Sequence, residues 1–272
     1  MMSDTSTGTD TIKDMVRARY GEIATAGSRC CAPPVASSCC TPAGATLDDK
    51  ARAIGYANEE LAAAPEGANL GLGCGNPVAI AAMKAGDVVV DLGSGAGFDC
   101  FLAAREVGPT GRVIGVDMTH EMLKRARENA VKVGAANVEF RLGELEHLPI
   151  GDDTADVIIS NCAINLVPDK AQVFREAARV LKPGGRLSVS DVLNIVPLPA
   201  DLRAHPALLS GCIGGAISVK HTEALLREAR FVDAVIAVSR ASRETVASWA
   251  PGRGIENYVA SATVEARKPL SA

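Results

Sequence analysis

Between Asp87 and Asp191 short apolar runs alternate with stretches of helical composition, and this alternation limits the fold more than any other feature of the chain. "DVVVDL", "RVIGVD", "VEFRLGE", "ADVIISN" and "GRLSVSDVL" read as strands. "AGFDCFLAAREVG", "THEMLKRARENAVKVG" and "KAQVFREAARVL" read as helices; Gly108 closes the first, and Thr119 with Glu121 opens the second. Repeated βα units make a parallel sheet with helices on both faces. Beyond the helix "HTEALLREAR" come two further runs, "VDAVIAVSR" and "YVASATVEARK". The expected class is therefore α/β: a doubly wound, mostly parallel seven-stranded Rossmann-like sheet with a small C-terminal α+β extension. Scarce aromatics and abundant alanine, glycine and valine suit such close packing better than a β-sandwich.

The flanks are less regular. "TIKDMVRARYGEIA" has the pattern of a short amphipathic helix over residues 11–24. From 27 to 45 the chain is rich in Cys, Pro, Ser, Ala and Gly, with "APP" and "TPAG" as breakers, and reads as a loop or mobile arm. "LDDKARAIGYANEELAAA" has helical composition, with Leu47 as a staple and Pro65 as a stop. At 272 residues the chain holds one large domain with an appendage. The expected division is a cysteine-containing arm and helix over 1–50, a cofactor-binding domain over 51–193, and a substrate-binding lid completing the sheet over 194–272. The net charge of −4 is mild and the basic residues are scattered among acids, so nucleic acid is not an expected partner. "MMSDTSTGTDTIKDMV" lacks the basic start and apolar run of a signal peptide, and no apolar run is long enough to span a bilayer. A cytoplasmic protein without a membrane partner is expected.

"DLGSGAG" sets Gly93, Ser94, Gly95 and Gly97 between a strand and a helix, where glycine lets a ligand approach bare backbone. Asp117 ends the second strand, placed to accept both hydroxyls of a ribose. Two details separate this turn from a dinucleotide fingerprint. The third glycine comes one position early, with Phe98 where the last glycine belongs, and Asp91 precedes the loop. An acid there is awkward beside a pyrophosphate and useful beside an ammonium group. S-adenosylmethionine, a phosphate-free sulfonium nucleoside with an amino group, fits better than NAD.

The eight cysteines offer no zinc spacing, because there is no CxxC pair and the four histidines stand apart from them. In a reducing compartment a disulfide network is not expected either. Cys162 follows the fourth strand at its carboxyl end, where doubly wound sheets bind ligands. Cys74 lies in the glycine-rich "NLGLGCGNP" before the first strand, and Cys212 in "SGCIGG" after the fifth. A lone cysteine is more often a small buried hydrophobe, as Cys100 is read here. Glycine neighbours at Cys74 and Cys212 supply little apolar packing, which favours chemistry over core. Three thiolates select a soft ion, and arsenic(III) held by three sulfurs keeps a lone pair that can attack an electrophilic methyl without a general base. No His–Asp or Glu pair near Asn161 suggests itself as a base. The vicinal pairs Cys30-Cys31 and Cys39-Cys40 offer further thiols.

"VVVDLGSGAGFD", "VIGVDMTHEMLKRARENA", "GELEHLPI", "ADVIISN" and "RVLKPGGRL" together resemble the class I S-adenosylmethionine-dependent methyltransferases over about residues 85–192. That resemblance implies that Asp91, Gly93, Ser94, Gly95 and Gly97 line the methionine side. It implies further that Asp117 takes the ribose, Met118 flanks the adenine, Glu144 and Leu145 contact its polar edge, and Asn161 stands beside the methyl group. "GLGCGNP", "SNCAINL" and "SGCIGGA" are similar to segments of the arsenite S-adenosylmethionine methyltransferases. This second resemblance implies arsenite and methylated trivalent arsenicals as substrates. Cys74, Cys162 and Cys212 would be the substrate-binding, redox-active thiols, with Cys39 or Cys40 joining a disulfide relay reset by thioredoxin or glutathione. Two other readings stay open: a small-molecule C- or O-methyltransferase with structural cysteines, and a non-catalytic metalloid-binding protein. The histidines His120, His147, His205 and His221 read as surface residues, and Trp249 as packing for the C-terminal segment.

Overall fold

The computed structural model describes residues 5–26 and 46–271. Cys30, Cys31, Cys39 and Cys40, and the arm expected over 27–45, lie outside the described residues. The seven strands are β1 (Val88–Leu92), β2 (Arg112–Asp117), β3 (Val138–Leu142), β4 (Ala155–Asn161), β5 (Leu181–Asn194), β6 (Val232–Val238) and β7 (Val259–Arg267). They form one sheet in the order β3-β2-β1-β4-β5-β7-β6. The pairs from β3 to β5 are parallel, and β7 runs antiparallel to both β5 and β6. The strand order reverses between β1 and β4, so the crevice beyond their carboxyl ends is the natural ligand site.

Alternate residues of the central strands feed two cores. Val90, Leu92, Ile114, Val116 and Ile158 pack on one face with Val173, Phe174 and Leu226, from α7 (Lys170–Val180) and α10 (Val219–Glu228). Val89, Val113, Val157 and Ile159 pack on the other with Phe101, Leu102 and Leu123, from α5 (Phe98–Val107) and α6 (His120–Val133). Burial of each such side chain contributes about 1.5–3 kcal/mol, which is why short continuous apolar runs form these strands where a solvated sheet would alternate.

Helix boundaries depart from the sequence expectation in three places. The N-terminal helix, α1, is longer than expected and spans Thr5–Thr25. The stretch expected as one helix is two, α2 (Leu47–Ala53) and α3 (Asn58–Ala63). Between them Gly55 adopts φ +106, which no helix tolerates. The start of α2 is set by a capping box between Thr46 and Asp49. Thr119 does occupy the N-cap of α6, but without a side-chain cap bond. Short helices α4 (Pro77–Ile80), α8 (Ala200–Arg203) and α9 (Pro206–Leu209) were not legible as separate elements. α11 (Arg243–Trp249) precedes β7. No helix among the described residues is long and apolar enough to cross a membrane.

Candidate active site

Beyond the carboxyl ends of β1 and β4 lies a cavity of about 440 Å³, within the size range of small-molecule sites. One wall is the turn after β1. Gly93 there has φ +77, and a Cβ on it would overlap the Ala163 methyl, so only glycine lets the turn lie against the segment after β4. The turn is tied down by the Gly93 and Ser94 amides, which donate to the Val116 carbonyl at 2.8 and 3.0 Å. The Asp117 carboxylate accepts the Gly95 amide at 3.0 Å and the Thr119 amide at 2.8 Å, one on each oxygen, and keeps further lone pairs for a ligand. Burial raises its pKa, against those two amides. Gly93, Ser94, Gly95, Asp117, Met118, Leu145 and Asn161 all face the cavity.

Asp91 and Asp99 add two buried carboxylates to this wall. Burial, and then the neighbouring charge of Asp99, push Asp91 well above the usual carboxylate range. Asp99 is itself raised by burial, although Tyr56 and Asn161 donate to it at 2.5 and 3.1 Å. Three acids gathered in one desolvated wall suit a cationic ligand, which would relieve their mutual repulsion. The buried Ser94 hydroxyl has no hydrogen-bond partner and also lines the cavity. The donor set thus fits S-adenosylmethionine, whose ammonium and sulfonium would meet the acids while its ribose meets Asp117. Glu144 is placed differently. Its carboxylate is held by Lys13 at 2.6 Å and by Arg17, both on α1, and Glu146 lines the cavity beside Leu145. Lys13, Val16, Arg19 and Tyr20 of α1 cover this side of the cavity.

The same cavity also carries sulfur. Cys74, Cys162 and Cys212, far apart in sequence, border the same cavity and share one buried cluster. Cys74 and Cys162 are joined in a disulfide with their Cα atoms 5.9 Å apart. The Cys212 thiol donates to the Cys162 carbonyl at 2.7 Å, and Tyr20 hydrogen-bonds its sulfur. Cys162 and Cys212 both have positive φ, +54 and +67, an uncommon backbone for non-glycine residues that tends to collect at functional sites. Burial raises the Cys212 thiol well above its ordinary pKa, and the charge of Asp191 adds to this.

One sequence expectation is corrected here. The cysteines flanked by glycine do sit in apolar surroundings, because Val192, Leu198, Leu208, Ile213, Ala216 and Val246 pack around them from other segments. The glycines serve close approach instead: a Cβ on Gly73 would stand 2.8 Å from Asn161 Nδ2, and one on Gly75 the same distance from Ser190. An acid that the sequence did not single out, Asp99, hydrogen-bonds Asn161 directly. Asp191 also went unread. Its carboxylate lies within 4.8 Å of the Cys74 and Cys162 sulfurs and accepts the Asn165 and Val192 amides and the Asn165 side chain. Only the pattern of an acid inside an apolar strand run could have signalled it. Cys100 is fully buried as expected and donates to Asp91 at 3.2 Å. Trp249 is half-buried and lines the cavity, and His120, His147 and His221 are exposed.

A Rossmann-like sheet with an acid-lined glycine turn at its switch point defines the class I methyltransferase fold. Residues 83–230 match the family model described as a methyltransferase domain. The chain is 50% identical over 262 residues to an arsenite methyltransferase of Halobacterium salinarum, covering 94% of this chain and 66% of that protein. It is 42% identical over 152 residues to the human arsenite methyltransferase, covering 53% of this chain and 40% of that one. Among solved structures it resembles an arsenic(III) S-adenosylmethionine methyltransferase from Chlamydomonas reinhardtii, with 32% identity, a TM-score of 0.56, and coverage of 88% of this chain and 74% of that one. The chain belongs to the methyltransferase domain family and, within it, to the arsenic(III) S-adenosylmethionine methyltransferases. It spans about two thirds of the Halobacterium protein and less than half of the human one.

Proposed function

We propose that the protein methylates trivalent arsenic held by the thiolates of Cys74, Cys162 and Cys212, with S-adenosylmethionine as methyl donor. The observation that carries this reading is that Cys74, Cys162 and Cys212, from separate segments, line one cavity with the acid-lined turn, Cys74 and Cys162 bonded to each other and Cys212 bonded to the Cys162 carbonyl. When bound, S-adenosylmethionine supplies an electrophilic methyl on a sulfonium centre, and the arsenic lone pair is the nucleophile that takes it. The residues of the chain do the rest. Asp91, Gly93, Ser94, Gly95 and Asp117 hold the donor, with Met118, Leu145 and Asn161 beside it, while Gly97 lets the turn pack on Phe140 and Glu144 fastens α1 over the site. The three thiolates orient the lone pair toward it, so that most of the catalysis is alignment. Helix α1 and the segment around Cys212 keep water from a cavity in which positive charge is lost during transfer.

Methylation formally oxidises arsenic by two electrons. A pair of thiols closing to a disulfide returns those electrons and releases two protons, and Cys74 and Cys162 stand joined in that state. Thioredoxin or glutathione would reopen the disulfide by exchange, with Cys39 or Cys40 as a relay. In this reading residues 51–193 bind the donor, 194–272 form the substrate lid, and 1–50 supply the relay.

A small-molecule C- or O-methyltransferase would need a base at the acceptor. Asp99 is the acid nearest Asn161, and both its oxygens are already engaged by Tyr56 and Asn161. A binding protein without catalysis would have no use for the acid-lined turn. The deciding experiment incubates reduced protein with arsenite, glutathione, thioredoxin and methyl-labelled donor and separates the arsenic species. Methylated arsenic is expected from the wild type and none from Cys74→Ser or Cys162→Ser. Undiminished methylation by Cys74→Ser, Cys162→Ser and Cys212→Ser would overturn the reading.

A further inference from the structure

Asn161 ends β4 and lines the cavity, and its side chain is committed in a way that contact with a methyl donor does not require. Its Oδ1 accepts the Cys74 amide at 3.0 Å, while its Nδ2 donates to the Gly75 carbonyl at 2.9 Å. One carboxamide thus grips the main chain on both sides of Cys74, as a neighbouring strand would. The same Nδ2 lies 2.9 Å from the Tyr56 hydroxyl and 3.1 Å from Asp99 Oδ2, and Tyr56 donates in turn to Asp99 Oδ1. The grip is therefore anchored from behind by a buried tyrosine–aspartate pair. It is also close: the Gly73 Cα carries no Cβ because one would stand 2.8 Å from Nδ2.

The residue after Asn161 is the other thiol. The Cys162 amide donates to the Ser190 carbonyl at 2.8 Å, and the Cys74 sulfur lies 3.5 Å from that same oxygen. Cys162, just beyond the strand end, is fixed by its amide's bond to β5, and the Cys74 loop is held by the side chain that ends the strand. The separation of the two sulfurs then depends on that side chain's grip. We propose that Asn161 is the positioning residue of the thiol pair, holding the Cys74 loop so that Cys74 and Cys162 meet as a chelating, oxidisable dithiol. This goes beyond a place at the cofactor site. Its arsenic-binding consequence rests on the proposed function, whereas its disulfide consequence does not.

The test compares the wild type with Asn161→Ala and with the equally sized Asn161→Asp, which keeps the acceptor for the Cys74 amide but loses the donor. Three quantities are measured on the full chain. They are the Cys74–Cys162 disulfide equilibrium constant in glutathione redox buffers, read by peptide mapping, and the affinities for arsenite and for S-adenosylhomocysteine by calorimetry. Loosening the loop lowers the effective concentration of one thiol at the other, so the disulfide constant should fall about tenfold or more in both variants. Arsenite affinity should fall in step, and both should fall by a clearly larger factor than S-adenosylhomocysteine affinity, to which Asn161 also stands close. A structural defect would lower all three together. A disulfide constant unchanged in either folded variant, or a loss of S-adenosylhomocysteine affinity as large as the loss in the disulfide constant, overturns the inference. If the wild type fails to bind arsenite while the disulfide constant still falls in the variants, the arsenic reading fails and the positioning role stands.

Discussion

Asp191 shows how much chemistry at the site rests on residues that hold no ligand. It is buried within β5 beside two sulfurs, and burial raises its pKa to about 6, against the amides of Val192 and Asn165 and the charge of Lys170. A carboxyl whose folded pKa exceeds its unfolded value of 3.8 binds more protons in the native state between those values. Its destabilising contribution is absent below about pH 4, grows as pH rises toward 6, and then stays constant at ~3 kcal/mol. Asp191→Asn removes the titration. The stability of the variant relative to wild type, from urea unfolding at pH 4 and pH 7, should therefore improve by about 3 kcal/mol over that interval. A difference independent of pH would mean that the carboxylate is solvated in the native state. Nothing in the local sequence distinguishes Asp191, Asp99 or Tyr56 from ordinary acids and aromatics, because each gains its role from partners 26 to 105 residues away. The cysteines were legible for the opposite reason. A thiol at a strand's carboxyl end or in a glycine loop is chemically conspicuous without its partners.

At the scale of elements, α1 latches over the cavity. Lys13 pairs with Glu144 and Glu146 at 2.6 and 3.0 Å, and Arg17 pairs with Glu144. Arg19 donates to Ser210 at 2.7 Å and to the Ala207 carbonyl at 3.0 Å, and Arg125 on α6 holds the Ala24 carbonyl at 3.1 Å. One helix thereby spans the loop after β3, the lid around Cys212 and a helix of the main sheet. Glu144→Gln weakens two of these contacts, each partly exposed and together contributing roughly 1 kcal/mol. Amide exchange over residues 10–25 should then quicken about fivefold. Unchanged exchange together with a loss of S-adenosylhomocysteine affinity would return Glu144 to direct contact with the cofactor. The central strands and helices were readable because burial on both faces writes continuous apolar runs into the sequence. The short helices around the site were not. Four-residue turns such as α4, α8 and α9 carry too little periodicity, and the break at Gly55 is one glycine within otherwise helical composition.

For the molecule as a whole, the sheet brings together what the sequence separates. The glycine turn follows β1, Asp117 ends β2, Asn161 ends β4 with Cys162 directly after it, and Asp191 lies in β5. Cys74 arrives from before the sheet and Cys212 from after it. Because β1 and β4 are neighbours, the turn, Asp117, Asn161 and the three cysteines border the same crevice, with Asp191 buried beside the sulfurs of Cys74 and Cys162. The central claim is that three sulfurs converge on one arsenic atom there, and arsenic X-ray absorption reads it directly. The sample is fully reduced protein loaded with one equivalent of arsenite. The wild type should show three sulfur neighbours and no oxygen, and Cys212→Ser two sulfurs and one oxygen. Oxygen retained around arsenic in the wild type, or three sulfurs surviving in Cys74→Ser, Cys162→Ser and Cys212→Ser, would contradict it.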